Sequence, residues 1–143
     1  MWTISLKALA VAAVFAVSMG ACSGTDPYLG MDAEALFRMA ENESAEGEYG
    51  NAIDALERLR VSFGDWPRIA DARLRLADAH LEAGAYLTAR SEYQRWSERY
   101  VSHPLSVSAA IGQCRSLAGL VPNAQRDQGY TSEAITMCGN VAV

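Results

Sequence analysis

The hexapeptide GEYGNA at residues 47–52 returns 37 residues later as GAYLTA at residues 84–89. Both copies have glycine in the first place, tyrosine in the third and alanine in the last. Further pairs share this spacing, namely Ala40 with Ala77, Phe63 with Tyr100, and Pro67 with Pro104. A period of this size without strand-like alternation is typical of helical hairpins stacked into a solenoid. The stretch therefore predicts an all-α fold.

Helix signals surround the repeated hexapeptide. Between Tyr49 and Phe63, apolar residues recur at steps of three and four, as on the buried face of an amphipathic helix. Gly47 and Gly84 suit a left-handed turn between two helices, and Asp32 suits the cap of the first helix. We expect a tetratricopeptide-like domain at 33–143, made of about three helical hairpins at 33–67, 68–104 and 105–143.

The first residues read as a lipoprotein leader. The apolar run from Ala8 to Met19 has the length of a signal-peptide hydrophobic region and is too short to span a bilayer comfortably. The segment MGAC that ends at Cys22 resembles a bacterial lipobox. We expect a signal peptide at 1–21, lipid attachment at Cys22 and a tether at 22–32. The alternative is an ordinary secretory peptide cleaved after Ala21.

The other two cysteines fall in the third unit. Cys114 occupies the repeat position of Ala77, so one interpretation is a small buried residue where helices touch. Cys114 and Cys138 also lie symmetrically about residue 126, inside the longer connection 121–128. In an antiparallel hairpin they would lie at similar heights, and a disulfide would form if helix rotation brought them together. The sequence leaves both interpretations open.

Composition and motifs disfavour several functions. The formal net charge of −5 argues against nucleic-acid binding, which favours a basic surface. His80 and His103 are the only histidines, and neither has neighbours at metal-ligand spacing. The sequence shows no nucleophile–base pair and no phosphate-binding glycine loop. We therefore expect no metal, no cofactor and no enzymatic activity.

A family resemblance follows from several motifs together. These are the lipobox, GEYGNAIDALERL at 47–59, GDWP at 64–67, the tract 96–104, and RDQ at 126–128. Over roughly residues 22–136 the chain resembles the BamD (ComL) family, the tetratricopeptide lipoproteins of the outer-membrane β-barrel assembly machinery. Members of that family have further repeats, so the resemblance implies a form that is short or truncated at its C-terminus.

The resemblance also implies a binding site and partners. The first helices of such repeats line a concave groove, and their counterparts in this sequence are Glu34, Phe37, Glu41, Asp71, Leu74, Asp78 and Leu81. An apolar groove with an acidic margin would suit an extended peptide with aromatic and basic side chains; the alternative is that these acids form a solvated face. The implied partners are assembly-machinery subunits and unfolded outer-membrane proteins.

The implied location is the periplasmic side of the outer membrane, to which the lipid anchor would hold the protein. Ser23, rather than an aspartate, follows Cys22, which agrees with sorting to that membrane. A second function fits the same leader and repeats, namely a tetratricopeptide lipoprotein that scaffolds peptidoglycan or envelope-division proteins. Only the identity of the bound partner separates the two hypotheses.

Overall fold

The computed structural model describes residues 26–121 and 128–141, and within them it contains six α-helices and no strand. The helices are α1 (Ala33–Glu46), α2 (Tyr49–Ser62), α3 (Ile69–Glu82), α4 (Tyr86–Arg99), α5 (Ser106–Gly119) and α6 (Gly129–Val141). This confirms the predicted all-α hairpin solenoid. The leader, Cys22, and the arginine and aspartate of RDQ lie outside the described residues.

The turns inside the first two hairpins depend on their glycines. Gly47 follows α1 with φ of 82°, and Gly84 lies between α3 and α4 with φ of 75°. A residue with a Cβ atom is strained in this left-handed region, so glycine is the residue that lets the chain reverse. At the start of α1, an Asp32 side-chain oxygen accepts a hydrogen bond of 2.8 Å from the Ala35 amide. The predicted cap is thus confirmed.

Two apolar cores hold the stacked hairpins together. The first joins α1, α2 and one face of α3, where Ala72, Leu76 and Ala79 point inward. The second joins another face of α3 to α4 and α5. Its members are Ala70, Leu74, Ala77, Leu81, Ala89, Tyr93, Trp96 and Ala109. Because α3 contributes to both cores, each hairpin is stabilised by its neighbour, as in other solenoids.

The aromatic residues of α4 pack between hairpins. Tyr93 and Trp96 are buried, and the Trp96 indole donates a hydrogen bond of 2.7 Å to the Ala70 carbonyl. Glycines on α5 leave room for two of the rings. A Cβ atom at Gly112 would overlap the Tyr93 ring, and one at Gly119 would lie 2.5 Å from the Tyr86 ring. These glycines let α5 approach α4 closely.

The third hairpin is held differently from the first two. A disulfide joins Cys114 of α5 to Cys138 of α6, with 5.1 Å between their Cα atoms. Cys114 is therefore a covalent link at a position where Ala77 packs as a small core residue. No residue of α6 is fully buried. Outside the disulfide, Arg90 of α4 forms an ion pair with Glu133 of α6.

Candidate peptide-binding groove

A cavity of about 330 Å³ lies where the first helices of the three hairpins, α1, α3 and α5, meet. A second cavity of about 230 Å³ lies beside it, and the two share Glu41 and Arg75 as lining residues. We call the two cavities together the groove. Its larger cavity is lined by Phe37, Glu41, Arg68, Asp71, Leu74, Arg75, Asp78, Leu105 and Ser108. Five of the seven residues proposed from the resemblance are among them.

The apolar residues of that set do not form an accessible surface. Phe37 is 1% exposed, and Leu74 and Leu81 are each 5% exposed, because all three belong to the cores between helices. The expectation that they form an open apolar groove is corrected. Burying an apolar side chain is worth about 1.5–3 kcal/mol, so these positions stabilise the hairpin stack. Phe37 and Leu74 are the floor of the groove, while Leu81 is a core residue of α3.

Arg68 covers the aromatic part of this floor. Its guanidinium carbon lies 4.5 Å from the centre of the Phe37 ring and 5.4 Å from that of Trp66. At the same time its Nη1 is 3.4 Å from Glu34 and its Nε is 3.5 Å from Asp71. Such a stacked cation contributes about 0.5–1 kcal/mol at an exposed site. Arg68 therefore partly neutralises two of the predicted groove acids.

Asp78 also has partners already. The Tyr93 hydroxyl donates a hydrogen bond of 2.5 Å to one carboxylate oxygen, and Arg75 lies 3.4 Å from the other. Burial, together with the charge of Asp78, raises the pKa of Tyr93 well above its ordinary value, so the hydroxyl remains a donor. The position of Asp78 is thus set by the second core as much as by the groove.

Glu41 is the acid of the groove that remains available. It is exposed, it lines both cavities, and within the described residues it forms no ion pair. The expected acidic margin is therefore corrected to a rim of mixed charge with one open carboxylate. Opposite charges on adjacent turns of α3 pair with each other, which lowers the net charge that a ligand meets.

The sequence did not predict the two arginines of the groove, Arg68 and Arg75. Arg68 and Arg75 follow the same spacing as Asp71 and Asp78, so the four alternate in sign along one face of α3. That alternation was the available signal, because residues three and four apart are neighbours on a helix. It indicates a face whose charges pair with one another rather than a purely acidic surface.

The histidines take part in packing. The His103 ring lies 5.4 Å from Trp96, edge to face, and its Nδ1 accepts a hydrogen bond from the Leu105 amide. Burial lowers the pKa of His80 below its ordinary value. Across 26–121 and 128–141, no three His, Cys, Asp or Glu side chains are grouped as metal ligands. Among the helices of the same ranges, none has the length and hydropathy of a membrane span.

Three stacked helical hairpins with a groove across their first helices define a helical-repeat protein as the structural class. The family model YfiO, described as outer membrane lipoprotein, matches residues 30–141. The chain therefore belongs to the YfiO family of outer membrane lipoproteins. At the level of the family, this agrees with the resemblance drawn from the sequence motifs. A comparison with curated proteins gives no significant match.

Proposed function

We propose that this protein is an adaptor of the β-barrel assembly machinery, anchored in the outer membrane and facing the periplasm. It would hold extended segments of unfolded barrel precursors, or of other assembly subunits, in the groove between α1, α3 and α5. The observation that carries this proposal is the open carboxylate of Glu41 beside the two adjoining cavities. The proposed role includes no reaction and no cofactor.

The shape and charge of the groove suit an extended peptide. The two cavities lie side by side along α1 and α3, so side chains two residues apart, which share one face of an extended strand, would enter different cavities. A basic side chain next to Glu41 would gain a partner that is now missing. Beneath Arg68, the Phe37 and Trp66 rings offer an aromatic contact if that arginine swings toward the peptide. We therefore expect a preference for segments that combine basic and aromatic residues.

Two observations support the location. The family is one of outer membrane lipoproteins, and the Cys114–Cys138 disulfide suits an oxidising compartment such as the bacterial periplasm. Lipid attachment at Cys22 remains a prediction from the lipobox. A triacyl anchor would supply the several acyl chains that stable attachment needs. Mass spectrometry of the protein isolated from envelopes would detect those acyl chains on Cys22.

The test of function is site-specific photo-crosslinking in native envelopes. A photoreactive residue replaces Ser108, which is exposed and lines the larger cavity, or Ser44, which lines the smaller one, so that Glu41 stays in place. Leu87 on α4 is the matched control, since it is 57% exposed and lies outside both cavities. We expect the groove positions to capture unfolded barrel precursors or assembly subunits, identified by mass spectrometry, and the control position to capture neither.

Other outcomes would contradict the proposal. Capture of peptidoglycan or division proteins from the groove would favour the scaffold function instead. Equal capture from Leu87 would show that the groove is not the binding surface. A charge reversal, Glu41→Arg, should reduce capture of basic segments severalfold, since a close ion pair becomes a like-charge contact. Unchanged capture by that variant would remove Glu41 from the binding site.

A further inference from the structure

A third cavity opens between α3 and α4 and shares no lining residue with the groove. Its volume is about 360 Å³, and its wall includes Arg73 of α3 with Glu92, Arg95 and Arg99 of α4 and Tyr100 at the end of α4. We call it the arginine pocket. It places three guanidinium groups around one opening in a protein whose formal net charge is −5.

The charges of this pocket are not balanced. Arg95 pairs with Glu92 at 2.6 Å, and the carboxylate of Glu98 accepts a hydrogen bond from Gln94. In the part of the chain that the structure describes, neither Arg73 nor Arg99 has a carboxylate partner.

The Nε atom of Arg73 is, in addition, buried without a hydrogen-bond acceptor among the described residues. A buried donor left unsatisfied costs about 1–3 kcal/mol, and more when the group is charged. An acceptor that enters the pocket would relieve this cost at least in part, because it would neutralise the same guanidinium. The pocket therefore favours an anionic ligand.

We propose that the arginine pocket binds a carboxylate of a partner protein, from an acidic side chain or from a chain terminus. A guanidinium matches a carboxylate through two parallel hydrogen bonds, and Arg99 is exposed at the pocket where it can close on the ligand. The Tyr100 ring provides an apolar wall for the carbon atoms that carry the bound carboxylate. Glu92 and Glu98 disfavour phosphate, which carries more negative charge than a carboxylate.

The proposal can be tested on the full chain purified in detergent and labelled with ¹⁵N-arginine. The readout is the side-chain Nε–H signal of each arginine, with that of Arg73 assigned by its loss in Arg73→Lys. The first probe is a short peptide with one internal glutamate and an amidated end. The second has glutamine in that place, and the third has no acid except a free C-terminal carboxylate. Inorganic phosphate is the competitor.

We expect the glutamate peptide or the free-carboxylate peptide to shift the Arg73 and Arg99 signals in a saturable way, and the glutamine peptide to leave them unchanged. The responding probe identifies the source of the carboxylate. Arg99→Gln should weaken binding by about tenfold or more, because the charge-assisted hydrogen bonds of its guanidinium are lost. Arg38→Gln is the matched control and should bind as the wild type does, since Arg38 is an exposed arginine of α1 outside the pocket.

Three results would overturn the proposal. The first is no signal shift with any carboxylate peptide. The second is an equal shift with the glutamine peptide. The third is a shift of the Arg73 signal by phosphate at a lower concentration than the acidic peptide requires. The last would assign the pocket to phosphate instead. The arginine pocket is separate from the groove, so a failure of this titration would leave the crosslinking result in the groove unaffected, and the reverse also holds.

Discussion

Reduction of the Cys114–Cys138 disulfide should release α6 while the first two hairpins remain folded. The reason is that α6 has no fully buried residue, whereas α1 to α4 contribute almost all of the two apolar cores. The ion pair between Arg90 and Glu133 remains, but a partly exposed pair is worth only about 0.2–1 kcal/mol. The helix α6 also lies along α5, but only through partly buried residues, so we expect the disulfide to supply much of its attachment.

The magnitude follows from the chain length that the disulfide closes. Cys114 and Cys138 are separated by 24 residues in sequence. For a loop of that size, the chain-entropy estimate gives about 3.5 kcal/mol of stabilisation of the closed hairpin. That free energy corresponds to a change of roughly a few hundredfold in the equilibrium between docked and released α6.

The assay is hydrogen–deuterium exchange of the full chain, read by mass spectrometry of peptides, with and without reductant. We expect the amides of α6 to lose protection after reduction, and those of α2 and α3 to keep it. The variant Cys114→Ala with Cys138→Ala should behave like the reduced wild type, and reductant should have no further effect on it. Full protection of α6 in that variant would refute the reasoning, since other contacts would then hold the helix.

Three further predictions concern the packing of the hairpins. Gly112→Ala should lower the free energy of unfolding by about 1–3 kcal/mol, because the added Cβ atom overlaps the Tyr93 ring. Thermal or denaturant unfolding measures this change. In the control Gly139→Ala the added Cβ atom meets no atom within 4 Å, so the free energy of unfolding should not fall. Trp96→Phe removes the indole donor to α3 and should cost about 1–3 kcal/mol, with unchanged stability as the contradicting result. Burial lowers the pKa of His80 from its ordinary value of 6.5, so the folded state binds fewer protons than the unfolded state, and stability should fall as the pH drops below 6.5. His80→Gln should therefore lose less stability than the wild type between about pH 7 and pH 5. An equal loss in both proteins would contradict this.

The sequence predicted part of the groove correctly. The repeat register placed Glu41, Asp71 and Asp78 on the first helices, and the structure brings them to the same groove. The repeat register could not predict that Arg68 covers Phe37 or that Tyr93 donates a hydrogen bond to Asp78, because both contacts join residues of different helices. Side-chain partners of this kind depend on helix rotation and crossing, which a repeat period leaves undetermined.

The arginine pocket had no sequence signal. Arg73 lies on α3, while Arg95 and Arg99 lie a turn apart near the end of α4. On a linear chain these are ordinary charged residues of two amphipathic helices. Only the packing of α4 against α3 places the three guanidinium groups around one cavity and buries the Nε atom of Arg73 without an acceptor.

Local chemistry is what the sequence by itself determined. The helical period, the aspartate cap and the turns at Gly47 and Gly84 depend on neighbouring residues and on backbone sterics, which act within a few positions. Tertiary structure alone decided whether Cys114 would be a buried thiol or a disulfide, and which acid of the groove would remain unpaired. Both outcomes depend on distances between separate helices, and those distances follow from how the complete apolar faces pack together.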